Sequence, residues 1–215
     1  MAGIPNGMAL KTLSLRALVA FAARSAERVE PYFYLPLGHP RMTSAEEAVR
    51  NAIQVSLDFV NGSEEDPQFI QIAEDWVMKA LLAVSEGESP DTQAALACNS
   101  AYAAINATVV AVNSVKAPSR ANEGSKVVTA AVAAAEAAMV VDPEIRHHVA
   151  RDYQFLKSLN LGRFPDWGRP FDAGEKGKMG SIVLTKGAEI AQQQGRLLTD
   201  LYKEHLKKSN AVLAK

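Results

Sequence analysis

Forty-nine consecutive residues, Gln93 to Val141, hold seventeen alanines and only five charged side chains. Such a stretch has few structural options. Alanine is the best helix former because it loses no side-chain entropy and buries no polar group. A helix that is small and apolar on most sides belongs inside a protein. The stretch therefore predicts two buried helices with a turn at Ala117–Gly124, and the rest of the chain reads as material covering this pair. Asn99, Ser100, Asn106 and Asn113, then Lys116, interrupt the roughly 20 apolar residues that a membrane span needs, so the reading is a core and not a membrane. Asn99, Asn106 and Asn113 recur every seven residues, and buried amides need partners. They predict a polar seam that sets helix register; the alternative is a ligand groove lined with amides.

The chain has 215 residues, 48% of them hydrophobic and 22% charged, with net charge −1. This predicts one globular domain and gives no sign of the basic stripe of a nucleic-acid binder. Cys98 is the sole cysteine, so it reads as a small buried apolar residue, outside any intramolecular disulfide or CxxC metal site. The apolar run Ala17 to Ala23 is short and lies well inside the chain, unlike a signal peptide. The expectation is a cytoplasmic protein of bacterial style, with neither nucleic acid nor membrane as partner.

Helix starts are the clearest local signals. A first helix runs from about Ala9 to Glu30 and stops at Pro31, because the residue before a proline avoids helical dihedrals. Pro31 to Pro40 holds three prolines, Gly38, three aromatics and two leucines, and reads as an irregular loop lying flat on the bundle. Thr43-x-x-Glu46 and Ser44-x-x-Glu47 are overlapping capping boxes. Asp66-Pro67, Ser89-Pro90 and Asp142-Pro143 each place a capping residue before a proline at the first helical position. Together with Ser119, these put helix starts near 43, 66, 89, 119 and 142, a spacing that suits antiparallel neighbours joined by short turns.

Helix two turns Val49, Ala52, Ile53, Leu57 and Val60 inward and stops at Asn61-Gly62. Helix three is expected to bury Phe69, Ile72, Ala73, Trp76, Val77, Ala80 and Val84. Helix six runs from Pro143 to about Asn160 with Ile145, Val149, Leu156 and Leu159 inward. Residues 161–180 show no periodicity, with five glycines and two prolines beside Phe164, Trp167 and Phe171. Aromatics of that size hold a loop down, so the segment reads as a strap on the bundle or as a partner-binding lid. A last helix from Ser181 or Thr185 to Lys208 carries Ile190, Leu197, Leu198, Leu201 and Leu206 on one side.

Candidate chemistry is sparse. Glu144-x-x-His147 has the spacing used by carboxylate-bridged di-metal bundles, but the second such pair is missing from the sequence. His148 with Asp152 one turn on has the form of half an acid–base device, or of a histidine satisfied by its i+4 carboxylate. Glu144, His147, His148 and Asp152 are thus the residues of a metal or small-molecule alternative. Gly174-Glu-Lys-Gly177-Lys-Met-Gly180 lacks phosphate-loop spacing.

Ala22-Ala-Arg-Ser-Ala-Glu-Arg-Val-Glu-Pro31, a proline-broken loop, Ala45-Glu-Glu-Ala-Val-Arg-Asn-Ala52 and then Ala-rich helices resemble, in layout, uncharacterised Ala-rich helical proteins of bacteria. Some of those are labelled immunity proteins of toxin systems. The segment Leu159-Asn-Leu-Gly-Arg-Phe-Pro-Asp-Trp-Gly-Arg-Pro-Phe-Asp172 is similar to proteins of unknown function associated with planctomycete-like bacteria. The resemblance implies an all-α fold and an immunity-type inhibitor as one form of function; it assigns no site residue.

The reading that results is an all-α antiparallel bundle, or a short helical-hairpin array, of six to seven helices. Residues 1–8 read as a flexible arm, 9–180 as the helical domain, and 181–215 as a C-terminal helix packed on the domain or on a partner. The expected function is non-enzymatic protein binding without a cofactor, to another protein or a second copy. The expected contact residues are Tyr32, Tyr34, His39, Phe164, Trp167 and Phe171.

Overall fold

The computed structural model describes residues 5–33, 42–63, 66–85, 92–114 and 120–213. They form an all-α helical bundle without strands among the described residues. In chain order the helices are α1 (Gly7–Leu10), α2 (Leu15–Val29), α3 (Met42–Val60), α4 (Pro67–Ser85), α5 (Thr92–Ser114), α6 (Arg120–Val141), α7 (Arg146–Ser158), α8 (Ala173–Met179) and α9 (Lys186–Leu213). Short 3-10 turns at Glu30–Tyr32 and Pro143–Ile145 follow α2 and precede α7.

The alanine-rich pair is at the centre, as its composition requires. α5 packs against α2, α3, α4 and α6. Gln93 near the start of α5 bonds the Val141 carbonyl at the end of α6, and the buried Ser100 hydroxyl donates to the Ala134 carbonyl at 2.8 Å, so the two helices run antiparallel. A side chain as short as serine spans this gap only because alanines let the axes approach closely. The core extends beyond the pair to α2, which is buried around most of its circumference by Ala17, Ala20, Ala22 and Ala26 among larger residues. Phe21, Leu15, Leu18, Val19 and Val29 of α2 are essentially inaccessible, and each such burial stabilises the fold by about 1.5–3 kcal/mol. α6 is one-sided: Asn122, Lys126, Thr129, Glu136 and Val140 face outward.

Both Gln93–Ser114 and Asn122–Val141 are long and apolar enough to cross a membrane by length and composition, and 56% of each tested window is buried within the bundle. Core helices share that composition with membrane spans.

Several local expectations shift. The first helix does not run unbroken from Ala9. The chain is already helical at Gly7, turns after Leu10, and restarts at Leu15, where the extended Ser14 caps the Ala17 amide. Residue 124 belongs to α6 and not to a turn. A Cβ at Gly124 would lie 2.6 Å from the Phe164 ring, so this glycine answers a close approach. Ser89 and Ser119 lie outside the described residues, whereas Asp66 caps the Gln68 amide at 2.9 Å as its sequence context predicts. α3 closes at Asn61-Gly62 with bonds from Gly62 to Phe59 and from Ser63 to Asp58, the paired pattern of a Schellman stop.

The 161–180 segment includes a helix, α8, that periodicity did not reveal. Asp172 and Glu175 build a capping box at its start. On α4 the buried face is Ile70, Ala73, Val77, Ala80 and Val84, a strict 3-4 repeat. Phe69, Ile72 and Trp76 belong to the neighbouring stripe and point outward, which corrects the expectation that they are core.

The seven-residue amide repeat also divides. Asn106 donates to the buried Glu74 carboxylate of α4 at 2.8 Å, Asn99 is half-buried, and Asn113 faces outward. Cys98 is fully buried, and burial pushes its thiol up to about 12.

Close approach of small residues gives a direct test. Ala104→Leu on α5, a fully buried position, should lower stability by about 1–3 kcal/mol through overpacking. A fall in the urea midpoint with unchanged slope is the expected result, and an unaltered midpoint would show that the helices are not in tight contact there.

Candidate functional site

The strap is built on unsatisfied backbone. The first amides of any helix have no partner within it, and in α2 the amides of Leu15 and Arg16 are met by the carbonyls of Asp166 and Trp167 at 2.9 and 3.0 Å. Gly168 makes this turn possible. Its φ is +79°, and a Cβ there would collide with Ser14 and with the Leu161 carbonyl. Trp167 meets Phe59 of α3 edge-on at 5.3 Å. The Arg16 guanidinium lies over both rings, at 4.8 and 5.5 Å, and donates to the Phe59 carbonyl. Burial lowers the Arg16 pKa. Phe171 is 3% exposed, and its amide bonds Val60 at the end of α3. Phe164 packs on Gly124 of α6 under the Lys11 ammonium. Phe164, Trp167 and Phe171 thus tie α2, α3 and α6 together.

Tyr32 is also turned inward. Its hydroxyl donates to Asp142 at 2.9 Å, and the Thr185 hydroxyl donates to the same carboxylate oxygen. Burial raises the Tyr32 phenol to about 12, with the Asp142 carboxylate adding to the shift. Thr185 in turn caps the Ala188 amide, so this knot seats the start of α9 on the turn after α2. Tyr34 and His39 lie outside the described residues.

The four residues of the metal alternative do not converge. Glu144 and His147 are exposed, His148 is half-buried, and Asp152 is buried. No group of three metal-ligating side chains exists among the described residues. Asp152 serves two arginines of α2: Arg28 Nη2 at 2.6 Å and Arg24 Nε at 3.3 Å, with Arg24 and Arg28 only 5% and 4% exposed. Arg24 also donates to the carbonyls of Gly180 and Met179, which holds the segment before α9. His148 therefore lacks the expected carboxylate bond, and burial together with Arg28 lowers its pKa. The arginine pair had a sequence signal: Ala17, Phe21, Arg24 and Arg28 follow one stripe of α2.

Three features face outward, one of them the α9 stripe of Ile190, Leu197 and Leu201, which are 55%, 61% and 45% exposed. On α4, Phe69, Ile72 and Trp76 are 50%, 46% and 50% exposed at helical spacing. Between α3 and α9 runs a trough made of two adjoining hollows of about 580 and 450 Å³ that share Glu30, Pro31, Arg50 and Gln192. Neither the α4 stripe nor the trough was legible in the chain. The stripe was read as core, and the trough joins helices far apart in sequence. No family model, curated protein or solved structure matches the chain.

Two measurements check this electrostatic layout. Asp152→Ala should cost about 3–5 kcal/mol, because it leaves two buried cations without a carboxylate. Replacing Arg24, Arg28 and Asp152 together by Met, Met and Leu should cost less than that single change. The Arg169 guanidinium bonds Glu175 at 2.7 Å and holds its carboxyl at about 2, below the ordinary 4.5. A depressed acid contributes stability that is complete above pH 4.5 and is lost as pH falls toward 2. Hydrogen exchange of α8 amides should accelerate across that window, and Glu175→Gln should flatten the dependence.

Proposed function

We propose that the protein is a non-enzymatic, cytoplasmic protein-interaction module, an adaptor or an immunity-type inhibitor, with no cofactor. The observation that carries this reading is the stripe Phe69, Ile72 and Trp76. These large side chains are about half exposed, side by side on a helix whose opposite face is buried. Together they leave a contiguous apolar patch in water, and apolar patches rimmed by polar residues are where interaction sites are found. Tryptophan is enriched among the residues that dominate interface energy. Gln68, Gln71, Asp75 and Lys79 stand among and beside the stripe on α4, as a polar rim does around an interface core.

The scaffold suits that role. α3–α4 and α5–α6 read as a short array of antiparallel helical hairpins, and the strap and the Asp142 knot lock its ends. Tyr32, Phe164, Trp167 and Phe171, four of the residues expected as contacts, are engaged with the rest of the molecule, and the outer helix faces are open to a partner. A second copy of this chain or a different protein would both bury the stripe.

The reading is tested by placing a photoreactive amino acid at position 72 and irradiating cells that produce the protein, with exposed position 113 as control. One discrete cross-linked species from position 72, lost in Trp76→Glu, is the expected result. Trp76→Glu should unfold within about 0.5 kcal/mol of the parent, as surface changes do. Absence of any adduct, with purified protein monomeric at micromolar concentration, would refute the α4 stripe as a contact surface.

A further inference from the structure

The trough beside α9 has walls of opposite charge. One wall, from α2, the turn after it and α3, carries Glu27, Glu30 and Glu46 against Arg50. Arg50 is paired with Glu30 at 2.8 Å, while Glu27 and Glu46 form no ion pair among the described residues. The other wall, from α9, carries Arg196 and Lys203 against Asp200. Leu57, Ile182 and Leu184, each half-buried, supply apolar surface between them. Burial raises the pKa of both Glu27 and Glu46, although Arg24 and Arg28 act against the shift at Glu27 and Arg50 and Lys203 act against it at Glu46.

The walls also dictate the form of an occupant. They are largely helical, and helices have their backbone groups internally bonded. An extended segment in the trough would find no ladder of free amides and carbonyls to pair with. A helix satisfies its own backbone and can present an apolar stripe flanked by charge. The two hollows hold roughly two turns of such a helix.

We propose that the trough between α3 and α9 is the seat of an amphipathic α-helix from a partner protein. Its apolar face rests on Leu57, Ile182 and Leu184, its basic flank runs along Glu27 and Glu46, and its acidic flank runs along Arg196 and Lys203. The inference rests on the reading of the chain as an interaction protein, but it uses a surface separate from the α4 stripe.

The test uses the full chain and fluorescent 14-residue synthetic helices with a leucine stripe. One has lysine on one flank and glutamate on the other; others carry lysine on both flanks or glutamate on both; a last has the mixed composition with its leucines scattered. By anisotropy, the mixed-flank helix should bind at least about tenfold more tightly than the scattered one. Glu46→Lys, which takes the first wall from a net acidic charge to a balanced one, should weaken the mixed helix about tenfold and shift the preference toward the all-glutamate flanks. Adding Lys203→Glu should restore the mixed helix, which can reverse its direction in the trough. Equal binding of striped and scattered peptides, or indifference to Glu46→Lys in a variant that still unfolds cooperatively, overturns the proposal. If position 72 cross-links while no peptide discriminates, the trough assignment falls and the interaction reading stands. If peptides discriminate while position 72 stays silent, the α4 stripe is the part that fails.

Discussion

Side-chain bulk is the quantity on which this structure turns. Three helices, α2, α5 and α6, share the middle of the bundle; α5 and α6 present mostly alanine where a typical core presents leucine, and α2 mixes alanine with Leu15, Leu18 and Phe21. Small residues contribute little buried area each, so stability must come from close contact along long helices. Ser100 shows how close: its hydroxyl reaches a carbonyl of α6 directly. Thr108 and Ser56 repeat the pattern between α5 and α3, with their hydroxyls 3.0 Å apart. A spine of this kind is held by van der Waals contact and short polar stitches, and the larger side chains are left to do other work.

Much of that work is done by the ends of helices. The strap gives up two carbonyls to the first amides of α2, and its three aromatics land on α2, α3 and α6. Asp142 caps the turn before α7 and accepts from Tyr32 and Thr185, which joins α2 to α9. Asp152 neutralises one of two buried arginines, and backbone carbonyls before α9 share in solvating the guanidinium of Arg24. Buried charge here links elements far apart in the chain. One carboxylate removed would leave cations in a dry site, which is why such links act as constraints more than as sources of stability. Tyr32, Phe164, Trp167 and Phe171 are consumed by the same task. Among the described residues, surfaces open to recognition include the outer face of α4, the trough beside α9 and the exposed Ile190, Leu197 and Leu201 of α9 itself.

How far the chain could be read depends on the range of the interaction. Asp66-Pro67 and Asp142-Pro143 announced their turns because a cap and its amide are two residues apart. The strap aromatics were recognisable as anchors because ring size alone demands burial. What they would anchor was not, since Gly124, Phe59 and Ser14 lie far off in sequence. Gly124 looked like a turn residue, yet its missing side chain makes room for Phe164. The α4 stripe was misread for a related reason: Phe69, Ile72 and Trp76 repeat at helical spacing just as Ile70, Ala73 and Val77 do. Hydrophobicity admitted both sets, with Ala73, Val77, Ala80 and Val84 rightly placed inward, and packing took only the smaller one, because alanine fits against a close neighbour.

The sequence by itself determined that the chain is helical, where most helices start and stop, and that its alanine-rich middle is enclosed. Those outcomes follow from propensity, capping and proline geometry, which act over a few residues. Only the tertiary structure decided which stripe of α4 faces water, that Asp152 belongs to Arg24 and Arg28 instead of His148, and that α3 and α9 leave a charged trough between them. Each of these is set by where helix axes come to rest. That is a global balance of side-chain volume and charge, and no local stretch of residues encodes it.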